Sequence, residues 1–267
     1  MIAKKQFGQN FITDKNLIGK IISLLGDKKE MLIIEIGPGR GALTRNLVRK
    51  FSQVIAIEID RDLEIYLKSE IKDSNFELVM KDVLDLNLDE FIKTKNINNF
   101  PVAIISNLPY YITSEILFKV FSSSHKIVSA IFMMQKEVAE RITSKVDGKK
   151  YNNLTVISNY FSKPKYEFTV KRNLFNPEPK VDSAIVSFDF SKSLSKNYEF
   201  DIFFTKTIRK LFNNKRKTIL NNLQNVLITK KDGQNILKNV DIDINLRPEN
   251  ISIEEFILLI EEIQKWK

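Results

Sequence analysis

Asn107-Leu108-Pro109-Tyr110 stands directly after an apolar run, Val102 to Ile105, that reads as a buried strand. This set of groups suits one task, holding a planar amine still while a methyl group is transferred to it. The Asn107 side chain and a backbone carbonyl supply acceptors for two amine hydrogens. Pro109 stiffens the loop that carries them. Tyr110 offers a ring face on which a base stacks. The same residues also fit a plain strand-to-helix turn, because Asn-x-Pro is ordinary turn chemistry.

Neighbouring strand ends weigh on that choice. Glu35-Ile36-Gly37-Pro38-Gly39-Arg40-Gly41 ends one apolar run and opens a helical stretch. Glycines there let the backbone turn tightly and approach a ligand, and the helix start behind them favours an anionic group. That group could be a phosphate or an amino-acid carboxylate, since Gly37-x-Gly39-x-x-Ala42 also satisfies a relaxed dinucleotide fingerprint. Glu58 closes the next strand, about 20 residues after Gly37, where a carboxylate binds ribose hydroxyls. NAD and S-adenosylmethionine share that ribose; a helix cap or a partner of Arg61 is the lesser reading of Glu58, given the glycines upstream. Asp82 follows a third strand, placed to bond an adenine amino group while Val83 packs on the ring. With Gly37, Glu58 and Asn107 it forms a series of polar groups at successive strand ends, the edge where open parallel sheets bind ligands.

The elements that must position these residues are readable as alternation. Strands are expected at Met31–Ile36, Val54–Ile59, Phe76–Met80, Val102–Ser106 and Val128–Met133. Helices are expected at Asp14–Leu25, Gly41–Lys50, Asp62–Lys72, Ser114–Phe121 and Lys136–Ser144, with Asp62 and Thr113 as N-caps. Short apolar runs alternating with helices imply a parallel sheet covered on both faces. Phe168–Val170 and Ala184–Phe190 follow with no convincing helix between them and suggest an antiparallel hairpin at the edge. After a polar linker, Ser191 to Lys196, helices are expected at Asp201–Phe212, Lys215–Val226, Gly233–Asn239 and Ile253–Lys265, the last opened by a capping box at Ser252. The fold class is thus α/β, with a first domain over 1–190 and a small all-helical one over 191–267.

Composition narrows the chemistry. The 267 residues include no cysteine and one histidine, His125, in a Ser-rich loop, so thiolate chemistry is excluded and a Ser-His-Asp triad or a His-based metal site is not expected. No apolar run approaches the roughly 18 residues that span a membrane, and the first six residues lack the apolar core of a secretory signal. The net charge of +9 favours a polyanionic partner. Lys206, Arg209, Lys210, Lys215, Arg216 and Lys217 form a run without an acid, and on a helix several would share a face. Such a run is either a solvated surface or a phosphate-contacting one.

Longer stretches resemble the ribosomal RNA adenine dimethyltransferases, the KsgA group. They are Phe7 to Ile12, Glu35 to Gly41 with Leu43-Thr44, Ala56 to Asp60, Asp82 to Leu84, Ser106 to Tyr111 with Thr113-Ser114, Met134 to Arg141, and Phe175 to Ala184. They cover most of residues 4–188, and the helical tail matches in size and basic character. Family members usually carry Leu where Ile12 stands. The resemblance implies a Rossmann-like, mostly parallel methyltransferase sheet with S-adenosylmethionine as methyl donor. It places cofactor contacts on Asn10, Ile12, Gly37, Glu58, Asp82 and Asn107, with Gly39 and Val83 beside them. It makes Asn107, Leu108, Pro109 and Tyr110 the target-amine site, with Phe175 covering the target base. It implies dimethylation of two adjacent adenosines in a hairpin loop near the 3′ end of small-subunit (16S) rRNA. A cytoplasmic monomer acting on a partly assembled 30S subunit during ribosome biogenesis, with neither metal nor membrane, is the corresponding expectation.

The nearest alternative is a large-subunit (23S) rRNA adenine methyltransferase conferring macrolide resistance. Phe7 to Asn10, and Leu108 where those enzymes commonly carry Ile, favour the small-subunit group. A non-catalytic RNA-binding or transcription factor on the same fold leaves Asn107, Tyr110 and Glu58 without a task. An NAD oxidoreductase leaves Asn107 to Tyr110 unexplained.

Overall fold

The computed structural model describes residues 10–226 and 229–266. Phe7, Gly8 and Gln9 of the N-terminal motif lie outside the described residues. The chain runs β1 (Phe11–Ile12), α1 (Lys15–Ser23), β2 (Leu32–Ile36), α2 (Thr44–Lys50), β3 (Gln53–Glu58), α3 (Asp62–Glu70), β4 (Phe76–Met80), α4 (Leu88–Lys95), β5 (Val102–Asn107), α5 (Thr113–Ser122), β6 (Ser129–Gln135), α6 (Lys136–Ile142), α7 (Asn153–Phe161), β7 (Lys163–Val170), β8 (Phe175–Asn176) and β9 (Ser183–Asp189). Helices α8 (Tyr198–Leu211), α9 (Ile219–Leu223), α10 (Lys230–Asn239) and α11 (Ile253–Lys265) follow.

Seven strands form one sheet in the order β4-β3-β2-β5-β6-β9-β7. β2 pairs in parallel with β3 and β5, β3 with β4, and β5 with β6. β9 runs antiparallel to β6 and lies between it and β7, the reversed edge that the missing helix predicted. The central strands β2, β3, β5 and β6 are largely apolar and buried because both faces are covered, whereas β4 and β7 at the edges are only partly buried. Ile33, Ala103, Ile105, Ile131, Met133 and Ile185 share a cluster with residues of α1, α2 and α3. The intervening positions face the other way, where Phe132 and Phe188 pack together and Phe188 meets Phe121 of α5.

Two N-cap expectations are corrected. The helix cap falls on Arg61, not Asp62, because the Asp60 carboxylate accepts the Asp62 N–H one step earlier. Thr113 is the first residue of α5 rather than its cap, and its hydroxyl donates to the Pro109 carbonyl at 3.1 Å. Helices α4 and α7 were not expected. Each begins with an Asn cap, Asn87 or Asn152, whose side chain accepts helix-start N–H groups.

By contacts the chain divides into two compact units, 1–139 with 164–192, and 140–163 with 193–267. The second break matches the polar linker, but residues 140–163, expected with the sheet, belong with the helical unit. There the Tyr160 ring stacks on Phe204 at 3.9 Å and its hydroxyl donates to Asp201 at 2.6 Å. The helix expected over Lys215–Val226 shrinks to α9. Asn213 to Lys217 form turns, and the Asn222 amide donates to the carbonyls of Asn214, Lys217 and Thr218. Asparagines compete for backbone bonds and favour turns over helix interiors. Lys215, Arg216 and Lys217 therefore do not continue the helical face of Lys206, Arg209 and Lys210.

Candidate active site

The carboxyl ends of β2, β3, β4 and β5 open on a cavity of about 200 Å³. Its lining includes Asn10, Ile12, Gly37, Gly39, Glu58, Asp82, Val83, Asn107, Leu108, Pro109 and Tyr110, each singled out from sequence.

At the end of β2 the backbone takes positive φ at Gly37 (67°) and Gly39 (56°), a region that side chains disfavour. A Cβ on Gly39 would sit 3.0 Å from the Phe11 ring, whereas one on Gly37 would meet nothing within 4 Å. Gly37 thus leaves open space where a ligand can approach the main chain. Glu58 ends β3 with its carboxylate accepting N–H bonds from Ile59 and Asp60 (both 2.9 Å) and Gly39 (3.3 Å). Burial raises its pKa, those bonds oppose the rise, and the Asp60 charge adds to it. Asp82 accepts from Leu84 N–H at 2.9 Å, so its turn role and its place in the cavity coexist.

Asn107 is the last residue of β5. Its amide nitrogen donates to the Asn10 carbonyl at 2.8 Å, an arrangement that leaves the side-chain oxygen as the acceptor end. Leu108 N–H donates to the Met133 carbonyl, carrying the β5–β6 ladder one step further. Pro109 leads into the 3-10 turn Tyr110–Ile112. The Tyr110 hydroxyl shares a 2.6 Å hydrogen bond with Ser183. Burial raises the phenol pKa, which that bond partly offsets, so Tyr110 stays neutral.

Phe175, expected to cover the target base, does not itself line this cavity. It is 5% exposed, opposite Ile12 in the β1–β8 pair, and belongs to the cluster beneath the sheet. An aromatic ring gains more from full burial there than from a half-solvated position. Its place fixes β1, and through β1 it fixes Asn10 and Ile12.

Three lining residues carry signals the sequence reading left unassigned. Glu35, 1% exposed, accepts the Thr44 hydroxyl at 2.6 Å. Burial raises its pKa to about 7, with the Thr44 bond opposing and the Glu58 charge adding. A carboxylate in the middle of an apolar strand was the available signal. Tyr111 is 57% exposed at the cavity, and burial and then the Asp82 charge raise its phenol pKa. Arg40 packs over the Phe11 ring at 4.6 Å.

The donor set fits an adenosine-bearing methyl donor. It combines a carboxylate at the end of β3, an acid with an apolar neighbour at the next strand end, and an open glycine turn. Fold and cleft together define a Rossmann-like, S-adenosylmethionine-dependent methyltransferase. The family model for ribosomal RNA adenine dimethylase matches residues 2–265, and the chain belongs to that family. The ribosomal RNA small subunit methyltransferase A of Mesoplasma florum is 53% identical over 256 residues, 96% of each chain. Among solved structures, a dimethyladenosine transferase from Plasmodium falciparum is 28% identical with a TM-score of 0.79, covering 96% of this chain and 98% of that one. The 23S rRNA methyltransferase ErmE shares the fold at 24% identity and a TM-score of 0.70, over 96% of this chain and 100% of its own.

Proposed function

We propose that this enzyme dimethylates the 6-amino groups of two adjacent adenosines in a hairpin loop near the 3′ end of 16S rRNA, within a partly assembled 30S subunit. It would act as a cytoplasmic monomer in ribosome biogenesis. The observation that carries this reading is the Asn107 amide, held by the Asn10 carbonyl with its oxygen end left to accept, beside Tyr110 in a cleft suited to the cofactor. The 53% identity to a small-subunit enzyme supports the 16S target over the 23S one.

S-adenosylmethionine supplies a methyl group on a positively charged sulfur. Gly37, Gly39, Glu58, Asp82 and Val83 would hold it, with Asn10 and Ile12 closing the near side. The adenine amino group is a weak nucleophile because its lone pair is delocalised into the ring. It needs no strong base before attack, only its hydrogens held and its lone pair aimed. The Asn107 oxygen and the Leu108 carbonyl accept those hydrogens and stabilise the positive charge that grows on nitrogen. Pro109 fixes the spacing of the two acceptors. Tyr110 stacks on the extruded base, which is worth about 1–3 kcal/mol. Phe175, paired with Ile12, holds β1 and with it Asn10 and Ile12. After the transfer the cationic nitrogen releases one proton to water; the amine then keeps one hydrogen and a lone pair, so a second transfer needs only one of the two acceptors.

Nucleoside mass spectrometry of undermethylated small subunits after incubation with the enzyme tests this reading. Two adjacent dimethyladenosines near the 3′ end are expected. Methylation elsewhere, or at one adenosine only, contradicts it.

A further inference from the structure

Tyr110 is held at both ends. Its main chain follows Pro109 (φ −60°) and enters a 3-10 turn, and the Thr113 hydroxyl donates to the carbonyl of Pro109. Its hydroxyl is bonded at 2.6 Å to Ser183, which does not line the cavity. Ser183 is 0% exposed, begins β9, and sits opposite Gln135 in the β6–β9 ladder. The preceding residue is pinned as well. The Asp182 carbonyl accepts Lys136 N–H, and its carboxylate pairs with Lys171 and accepts Arg172 N–H. The tether therefore ends on rigid backbone.

A tyrosine ring has two side-chain torsions, and the loop alone does not set the tilt of the ring plane. A hydrogen bond at the far end of the ring does. Stacking and in-line attack both depend on that tilt, and a misplacement of about 1 Å in an active site can cost about 100-fold in rate.

We propose that Ser183 is a positioning residue for methyl transfer, its hydroxyl holding the Tyr110 ring at the tilt on which the target base stacks. The proposal rests on Tyr110 being the base platform. It assigns to β9, an element remote in sequence from Asn107 to Tyr110, a direct part in shaping the amine site.

The test is a double-mutant cycle with Ser183→Ala, Tyr110→Phe and the double variant. Each is assayed for kcat and KM on undermethylated small subunits, for cofactor affinity and for thermal melting. Each single variant should lower kcat by about 10-fold, with cofactor affinity unchanged and the melting temperature lowered only by the few degrees that one lost buried hydrogen bond costs. The double variant should be no slower than either single, because both remove one interaction. Losses that multiply in the double variant, or a Ser183→Ala enzyme with full kcat, overturn the proposal. If Ser183→Ala fails to fold, Tyr110→Phe, which leaves β9 intact, decides: a lowered kcat supports the tether and an unchanged one overturns it. A wild-type protein that transfers no methyl group at all removes the base-platform reading, and this proposal with it. That outcome is distinct from active enzymes with multiplicative losses.

Discussion

At the scale of single residues, Asn107 and Glu35 illustrate opposite uses of a polar group. Asn107 directs an amide hydrogen to the chain itself, at the Asn10 carbonyl, so that its oxygen is the acceptor end. Asn107→Asp should therefore lose activity despite similar shape, because a carboxylate oxygen would face the Asn10 carbonyl. A drop in kcat of at least about 10-fold, with cofactor affinity changed far less, is expected. Wild-type turnover would contradict the assigned orientation. Glu35 is buried with Thr44 as hydrogen-bond donor, and its pKa is raised from 4.5 to about 7. The folded protein therefore binds more protons than the unfolded chain between those values. Stability from this group is greatest at low pH and is lost as pH rises through about 7, by roughly 3 kcal/mol at most. Glu35→Gln keeps an acceptor for Thr44 and removes the titration. Its melting temperature should exceed that of the wild type at pH 8 by more than at pH 5, and equal differences at both pH values would count against the burial argument.

At the scale of elements, the central strands were legible because parallel strands covered on both faces leave continuous apolar runs. Their polar termini were legible because glycines, Glu58, Asp82 and Asn107 recur at successive run ends. What the sequence concealed were contacts between elements far apart in the chain. Nothing local to Phe175 reveals that it pairs with Ile12 and joins the core cluster shared with α1 and α2. Likewise, nothing local to Ser183 reveals the Tyr110 hydroxyl. The position of Phe175 has a testable consequence. Phe175→Ala should cost roughly 3–5 kcal/mol by leaving a cavity in the core, and it should weaken cofactor binding by loosening β1. Phe175→Leu refills most of that volume and should restore both stability and kcat. A folded Phe175→Leu enzyme with strongly reduced kcat would instead indicate that the ring itself touches the base.

At the scale of the whole molecule, a net charge of +9 favours association with a polyanion. The basic run survives as two pieces, Lys206, Arg209 and Lys210 on α8 and Lys215 to Lys217 in the turns before α9. Lys215 is already paired with Glu249 at 3.8 Å. Replacing Lys206, Lys210, Arg216 and Lys217 by Glu should weaken small-subunit binding. It should also flatten the salt dependence by about one unit of slope for every phosphate those side chains neutralise. An unchanged slope would locate the RNA-binding surface elsewhere. No helix among the described residues is long and apolar enough to cross a membrane. The most direct test of the account is methyl transfer from labelled S-adenosylmethionine, with undermethylated small subunits and large-subunit rRNA offered side by side. Label should appear as dimethyladenosine in the small subunit alone. Label confined to large-subunit rRNA would contradict the 16S target.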